Sequence, residues 1–350
     1  MVSVQRILTC GHICMDLTPA LPSAVPIDAG SLVEVGPMTI RAGGCVANTW
    51  RTLDALQMRT RISAVAGDDE LARLLRDELG EAASGLLVSR RAGTSYSIVL
   101  EPSGEDRAFW HHTGANADFD GQAVDGSIVD IVHVGYPSLL PALLGADGRP
   151  LSQMLDRIRA EGATVSVDLA VVDSSVQASD RHWPTILRAI ASHSDVISPS
   201  LDDLASALQL RPPYPTNLRS VLADELLYWG AAVVVISDGP NGLWLRTASA
   251  KRLRDGGRAL ALLADEWSDL AIHVGSVSIA NVRSTNGAGD ASTAGLLFGI
   301  ASEFSPREAL ETATACSAAT IQGSRPTPAS ISRLRPNLRN AFKRRSAAGC

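Results

Sequence analysis

The sequence predicts an α/β fold, with a mainly parallel sheet covered by helices on both faces and a small second β-sheet inserted beside it. Strand-like and helix-like patterns alternate through most of the 350 residues, which is the order that parallel strand–helix–strand units require. The strand candidates are continuous apolar runs, as expected where both faces of a sheet are covered. Two stretches, 18–41 and 95–112, break this rhythm with short alternating segments and read as β insertions.

Taken along the chain, the N-terminus runs directly into a strand-like segment at Arg6-Ile7-Leu8. Helix patterns are clearest over 47–56, 70–79, 151–161, 218–229 and 291–302; in the second, Leu71, Leu74, Leu75 and Leu79 form a stripe at helical spacing. Buried strands are expected at 62–66, 131–134, 164–168, 196–198 and 232–237. The 95–112 stretch reads as a hairpin with its turn at 102–105. No internal repeat or long linker is visible. One domain is expected over 1–330, with lid segments at about 18–41 and 95–116 inside it and a C-terminal tail over 331–350.

Bulk properties exclude several function classes. Hydrophobic residues at 45% and charged residues at 19% fit a globular protein with a substantial core. A net charge of −6 and scattered arginines argue against a nucleic-acid partner, since phosphate backbones need clustered Lys and Arg. The basic cluster Lys343-Arg344-Arg345 reads as a solvated end. Five dispersed cysteines form neither a disulfide framework nor a paired metal motif. With no signal-peptide pattern and no apolar run of about 20 residues, the expectation is a cytoplasmic protein without a membrane partner.

The segment Ser284-Thr285-Asn286-Gly287-Ala288-Gly289-Asp290 precedes a small-residue helix. Small residues let the backbone turn tightly, and free amides opening a helix attract an anion. A carboxylate at the same place would repel a phosphate unless it removes a proton from a hydroxyl that meets the phosphoryl group. By itself Asp290 reads equally well as a helix N-cap.

This segment resembles the second signature of the ribokinase-like (PfkB) carbohydrate kinases, D-T-x-G-A-G-D. Gly43-Gly44-Cys45-Val46-Ala47-Asn48 resembles the first signature, and Gly11 to Asp16, Ala64 to Glu70 and Gly114-Ala115-Asn116 match further family segments in order, covering roughly residues 6 to 327. The resemblance implies a three-layer αβα domain with a β-sheet lid, a homodimer formed through that lid, and transfer of the γ-phosphoryl of ATP with Mg²⁺ to a hydroxymethyl group of a sugar or related polyol. It places Asp290 as general base and Gly287, Ala288 and Gly289 as the anion hole. Asp16, Gly43, Gly44, Asn48 and Asn116 fall among substrate ligands. Ser237, Gly239, Gly242 and Asn286 fall beside the nucleotide, with residues 318–323 near the adenine.

Departures from the pattern are informative. Ser284 replaces the first aspartate of the second signature, which puts a monovalent-cation site in doubt. The N-x-x-E motif associated with Mg²⁺ becomes Ser200-Leu201-Asp202-Asp203, leaving Asp203 as the metal candidate. Trp50 either narrows the pocket or fills core. Arg41 and Arg51 are candidates for a phosphate or for surface charge. Of Trp110-His111-His112, alternate residues face opposite sides of a strand, so one histidine is expected toward the pocket. Alternatives are a nucleoside kinase, or a ribokinase-like binding protein with weak catalysis. A dinucleotide-dependent oxidoreductase lacks G-x-G-x-x-G, and a P-loop enzyme lacks G-K-[ST].

Overall fold

A computed structural model of the chain describes residues 6–21, 29–30, 32–102, 107–172 and 181–347. The strands are β1 (Arg6–Gly11), β2 (Cys14–Pro19), β3 (Met38–Gly43), β4 (Arg59–Ala66), β5 (Leu86–Val88), β6 (Tyr96–Leu100), β7 (Ala108–His112), β8 (Ile131–Gly135), β9 (Thr164–Asp168), β10 (Val196–Ile197), β11 (Val233–Ser237), β12 (Leu243–Thr247) and β13 (Ala271–Val274). The large sheet runs β13-β12-β11-β10-β9-β8-β1-β4-β5. Its strands pair in parallel from β11 to β5, and β12 and β13 add antiparallel. Strands β8 and β9 are buried along their whole length, which explains their unbroken apolar character.

Helices cover both faces. Helices Pro141–Ala160, Trp183–His193 and Leu218–Trp229 share a core with β8, β9 and β11 on one side. Helices Ala288–Ala301 and Pro306–Ile321 form the core on the other. Every residue from Asp290 to Ala301 is buried. The small residues there serve helix contact: a Cβ on Gly295 would lie 2.7 Å from Ala313 Cα, and one on Gly299 2.6 Å from Ala309 Cβ.

The inserted sheet is β3-β2-β6-β7. The expected hairpin is β6–β7, with residues 103–106 of its turn outside the described residues, as are 22–28 and 31 of the first insertion. One face of this sheet carries exposed apolar side chains, with Met38, Ile40 and Trp110 each about half accessible and Trp110 at 47%, while Phe109 alternates to the face of His111.

Three features differ from expectation. The helix expected at 47–56 spans Gly44–Ala55, because Gly43 serves as its N-cap. That expected at 151–161 is the end of Pro141–Ala160, whose first half is disguised by Gly145, Gly148 and Pro150. The 331–350 segment carries the helix Arg339–Ala347, with Ala341 and Phe342 buried. Phe342 packs 5.7 Å from the Phe298 ring and 5.8 Å from that of Phe304. Within the basic cluster Arg344 pairs with Glu308, and Arg345 lies 4.6 Å over Phe298, so this end is docked rather than simply solvated. No described helix is long and apolar enough to cross a membrane.

Candidate active site

Strand β1 has β4 on one side and β8 on the other, so the strand order reverses between β1 and β8. In open α/β sheets, crevices for ligands form beyond the carboxyl ends of strands at such a reversal. Glycines make this crevice tight. Gly11 pairs with Gly135, and a Cβ on Gly135 would sit 2.1 Å from Cys45 Sγ. A side chain on Gly43 would meet the Asp16 carboxylate at 2.2 Å, and one on Gly44, at φ 78°, the His12 ring at 2.7 Å. The helix Gly44–Ala55 therefore enters the crevice with its backbone against β1 and β2.

Asp290 sits in the first turn of helix Ala288–Ala301 and is 2% exposed. Asn48 Nδ2 donates to its Oδ2 at 2.9 Å and the Tyr136 hydroxyl to its Oδ1 at 2.8 Å. The Cys45 thiol lies against His133 Nε2 at 3.3 Å and Thr49 Oγ1 at 3.7 Å in the same wall. Burial raises the Asp290 pKa above the ordinary carboxylate range, and the Asn48 and Tyr136 donors, the nearby Cys45 thiol and the more distant Arg51 charge oppose the rise. Burial also pushes the Tyr136 and Cys45 pKa values up, with the Asp290 charge adding to both, so both groups stay protonated and remain donors.

Gly287 caps this helix at φ 74°. Amides of a first helical turn have no intrahelical acceptor. The Ala288 N–H turns back to the Thr285 carbonyl at 3.2 Å, which removes it from the expected anion hole. Gly289 is exposed, and apart from its chain neighbours and its own helix backbone no described atom lies within 4 Å of where its Cβ would stand. The arrangement thus joins an open helix N-terminus to a shielded carboxylate able to accept a proton.

The remaining expected residues divide. Asp16 is buried and faces the same crevice; burial raises its pKa, donors from Asn286 and Cys14 lower it, and the Asp290 charge raises it. Asn286, expected beside the nucleotide, instead donates to Asp16 Oδ2 at 2.9 Å. Asn116, expected among substrate ligands, has its amide closed on the Ile13 backbone at 2.9 and 3.2 Å and is fully buried. It clamps the β1–β2 connection. Arg51 is tied to Glu78, the Ala42 carbonyl and Asn48 Oδ1. Trp50 packs against the core beside β4 and lines an outer groove with Ile62 and Leu79.

On the other flank, Ser237 lines a cavity of about 10 Å³ together with Gly289 and Thr293. Gly239 and Gly242 shape the β11–β12 turn, and a Cβ on Gly242 would meet the Val274 carbonyl at 2.2 Å. The Ile321 carbonyl accepts the Arg283 amide at 2.8 Å, which sets residues 318–323 against the start of the glycine loop. Asp203 forms a capping box with Ser200. Burial pushes its pKa up to about 6, with the Asp202 and Asp290 charges adding, and it in turn raises Asp168.

Sequence reasoning missed the polar wall under Asp290. His12 is buried and neutral, its pKa held well below the histidine range by burial and by His111, and neither ring nitrogen has a hydrogen-bond partner among the described residues. Its ring lies 5.7 Å from Tyr136 and 5.0 Å from His111. His111 turns inward and His112 outward, as the strand alternation predicts. Below them Cys45, His133 and Asp168 form a buried cluster, with Cys45 Sγ 3.3 Å from His133 Nε2 and Ser166 Oγ 3.0 Å from Nδ1. Glycines at 11 and 135, each closing a strand, were the signal that side chains crowd there.

Residues 4–332 match the model of the pfkB family carbohydrate kinases. A curated relative, probable fructokinase-7 of Arabidopsis thaliana, is 26% identical over 333 residues, spanning 91% of this chain and 87% of its own. Among solved structures, an Arabidopsis thaliana ribokinase complexed with ribose and ATP aligns at TM-score 0.70 and 18% identity, covering 95% of this chain and 98% of that one. A Burkholderia thailandensis nucleoside kinase in complex with inosine aligns at TM-score 0.67 and 19% identity, covering 94% and 98%. The sheet order, the inserted lid and the match over nearly the whole length lead to one assignment: this chain belongs to the pfkB family of carbohydrate kinases and is a phosphotransferase of that type.

Proposed function

We propose that the protein transfers the γ-phosphoryl group of ATP to a hydroxymethyl group of a sugar or related polyol, with Asp290 as the general base. The observation that carries this reading is the Asp290 carboxylate itself, shielded from water, held by Asn48 and Tyr136, and placed in the first turn of the helix that Gly287 caps. An ionised carboxylate has about four lone-pair sites, and two donors leave about two, one of which can take the acceptor proton. The alcohol oxygen forms its bond to the γ-phosphorus as the bridging bond to the leaving nucleotide breaks, and the hydroxyl proton passes to Asp290. The Gly287 and Gly289 amides stabilise charge on the transferring group. Asp16, positioned by Asn286, accepts hydrogen bonds from other acceptor hydroxyls.

An Mg²⁺ ion would neutralise phosphate charge, and the all-oxygen pair of Asp203 and Asp168 suits that hard cation. Their raised pKa values, each increased by neighbouring carboxylates, are the state that a bound cation relieves. Nucleotide would lie along Ser237, Gly239 and Gly242. The exposed apolar face of the lid supports a homodimer, since a contiguous exposed apolar patch marks an interaction surface.

Asp290→Asn tests the assignment. With folding checked by melting temperature, kcat for ATP-dependent phosphorylation of a sugar panel should fall by about 10³-fold. A variant within tenfold of the parent removes Asp290 from the role.

A further inference from the structure

We infer that Tyr136 is a positioning residue for the base: its phenol fixes Asp290 Oδ1 and favours the ionised carboxylate in the ligand-free crevice. The inference rests on Asp290 being the base. Three independent observations point to it. Tyr136 follows β8 at the strand-order reversal, in the left-handed region at φ 57°, ψ 58°. A non-glycine residue there stores backbone strain, of a kind that collects at functional sites when surrounding contacts hold it. Local contacts hold it: the Tyr136 amide donates to the Asp168 carbonyl at 3.2 Å, and Pro137 follows directly.

The ring is oriented from behind. It stacks on His12 at 5.7 Å and 30° between planes, and His12 is wedged under Gly44, which leaves that imidazole little freedom to shift. The hydroxyl ends 2.8 Å from Asp290 Oδ1, while Asn48 holds Oδ2. A carboxylate gripped at both oxygens cannot rotate, so its remaining lone pair keeps one direction. A charge-assisted hydrogen bond of this type also stabilises the anion against burial. Aromatic packing alone would not require the hydroxyl, which makes the phenol separable from the ring.

The test needs no acceptor. Melting temperature is followed from pH 4 to pH 8 for the parent, Tyr136→Phe, Asp290→Asn and the double variant. The phenol stabilises the folded chain more strongly where Asp290 is ionised, because the charge-assisted bond exceeds the neutral one; without it the folded-state pKa of Asp290 rises further. The Tyr136→Phe penalty should therefore be small at acid pH and grow by about 2 °C or more toward pH 8. In the Asp290→Asn background it should not change with pH. The difference is needed because Asp203, at about 6, and His111, at about 4, titrate in the same window. Asp16, Asp168 and Arg51 also face Asp290, and Cys45 and His12 stay neutral there. Tyr136→Asn, which tolerates the left-handed backbone but is too short to reach the carboxylate, serves as second probe and should show the same growth. A penalty flat with pH in both variants overturns the inference and leaves the base assignment standing. An active Asp290→Asn enzyme sinks the base assignment, whatever Tyr136 does.

Discussion

In the crevice, Asn48 and Tyr136 hold Asp290, and Asn286 holds Asp16, by hydrogen bonds inside a single chain. On the lid, Met38, Ile40 and Trp110 turn apolar side chains outward. The two regions lie close in space and have opposite needs. The crevice gathers partnered carboxylates round a His12 ring with no hydrogen-bond partner among the described residues and gains from a polar or charged ligand, whereas the lid face gains most from a second surface. The regions touch where the Ser284 hydroxyl donates to Glu101 of the lid connection at 2.6 Å and Arg107 donates to Thr285. Ser284 stands where the family signature has an aspartate, and the structure gives this serine a partner from the lid.

After the loss expected for Asp290→Asn, the next largest effect belongs to the lid. Replacing Ile40 and Trp110 together by glutamate should weaken self-association by roughly a hundredfold or more, read by analytical ultracentrifugation. A parent that is monomeric at high micromolar concentration would undo the proposed dimer, while leaving the crevice untouched. The pH profile comes next. Under the proposal that Asp290 is the base, it acts only when ionised, and since burial raises its pKa, activity should climb with pH through a midpoint above the ordinary carboxylate value of about 4. An acid limb at or below that value in kcat/KM would mean that the donors outweigh burial. The smallest effect concerns the join. Ser284→Ala removes the hydroxyl bonded to Glu101 and should raise the acceptor KM by roughly fivefold with kcat little changed; an unchanged KM would make the two regions energetically independent.

Sequence legibility followed the same division. Asp290, Gly43, Gly44 and Asn48 are readable because short glycine-rich segments encode their own turns, and those turns carry the neighbouring side chain into place. Tyr136, Cys45 and His12 belong to segments far apart in the chain, and nothing local in any of them shows that strand ends β1 and β8 meet beneath Asp290. Asn116 illustrates the converse. Its motif was legible, but its amide closes on Ile13, a partner 103 residues away that only the fold supplies. Asn286 likewise turned to Asp16 rather than to the nucleotide side. The helix over 141–150 was hidden because glycine and proline argue locally against a helix that tertiary packing nonetheless supports.

The docked helix Arg339–Ala347 gives the far end of the polypeptide leverage over the chemistry. Phe342 wedges against Phe298 and Phe304, and Phe298 lies two turns along the same helix that begins beside Asp290. A protein shortened to the family-matched boundary at 332 would leave those two rings facing water. Losing one such aromatic from a packed site costs about 3 kcal/mol, and the slack would fall on the rod that aims the carboxylate. Expression designs that trim this helix therefore risk blunting turnover before they prevent folding.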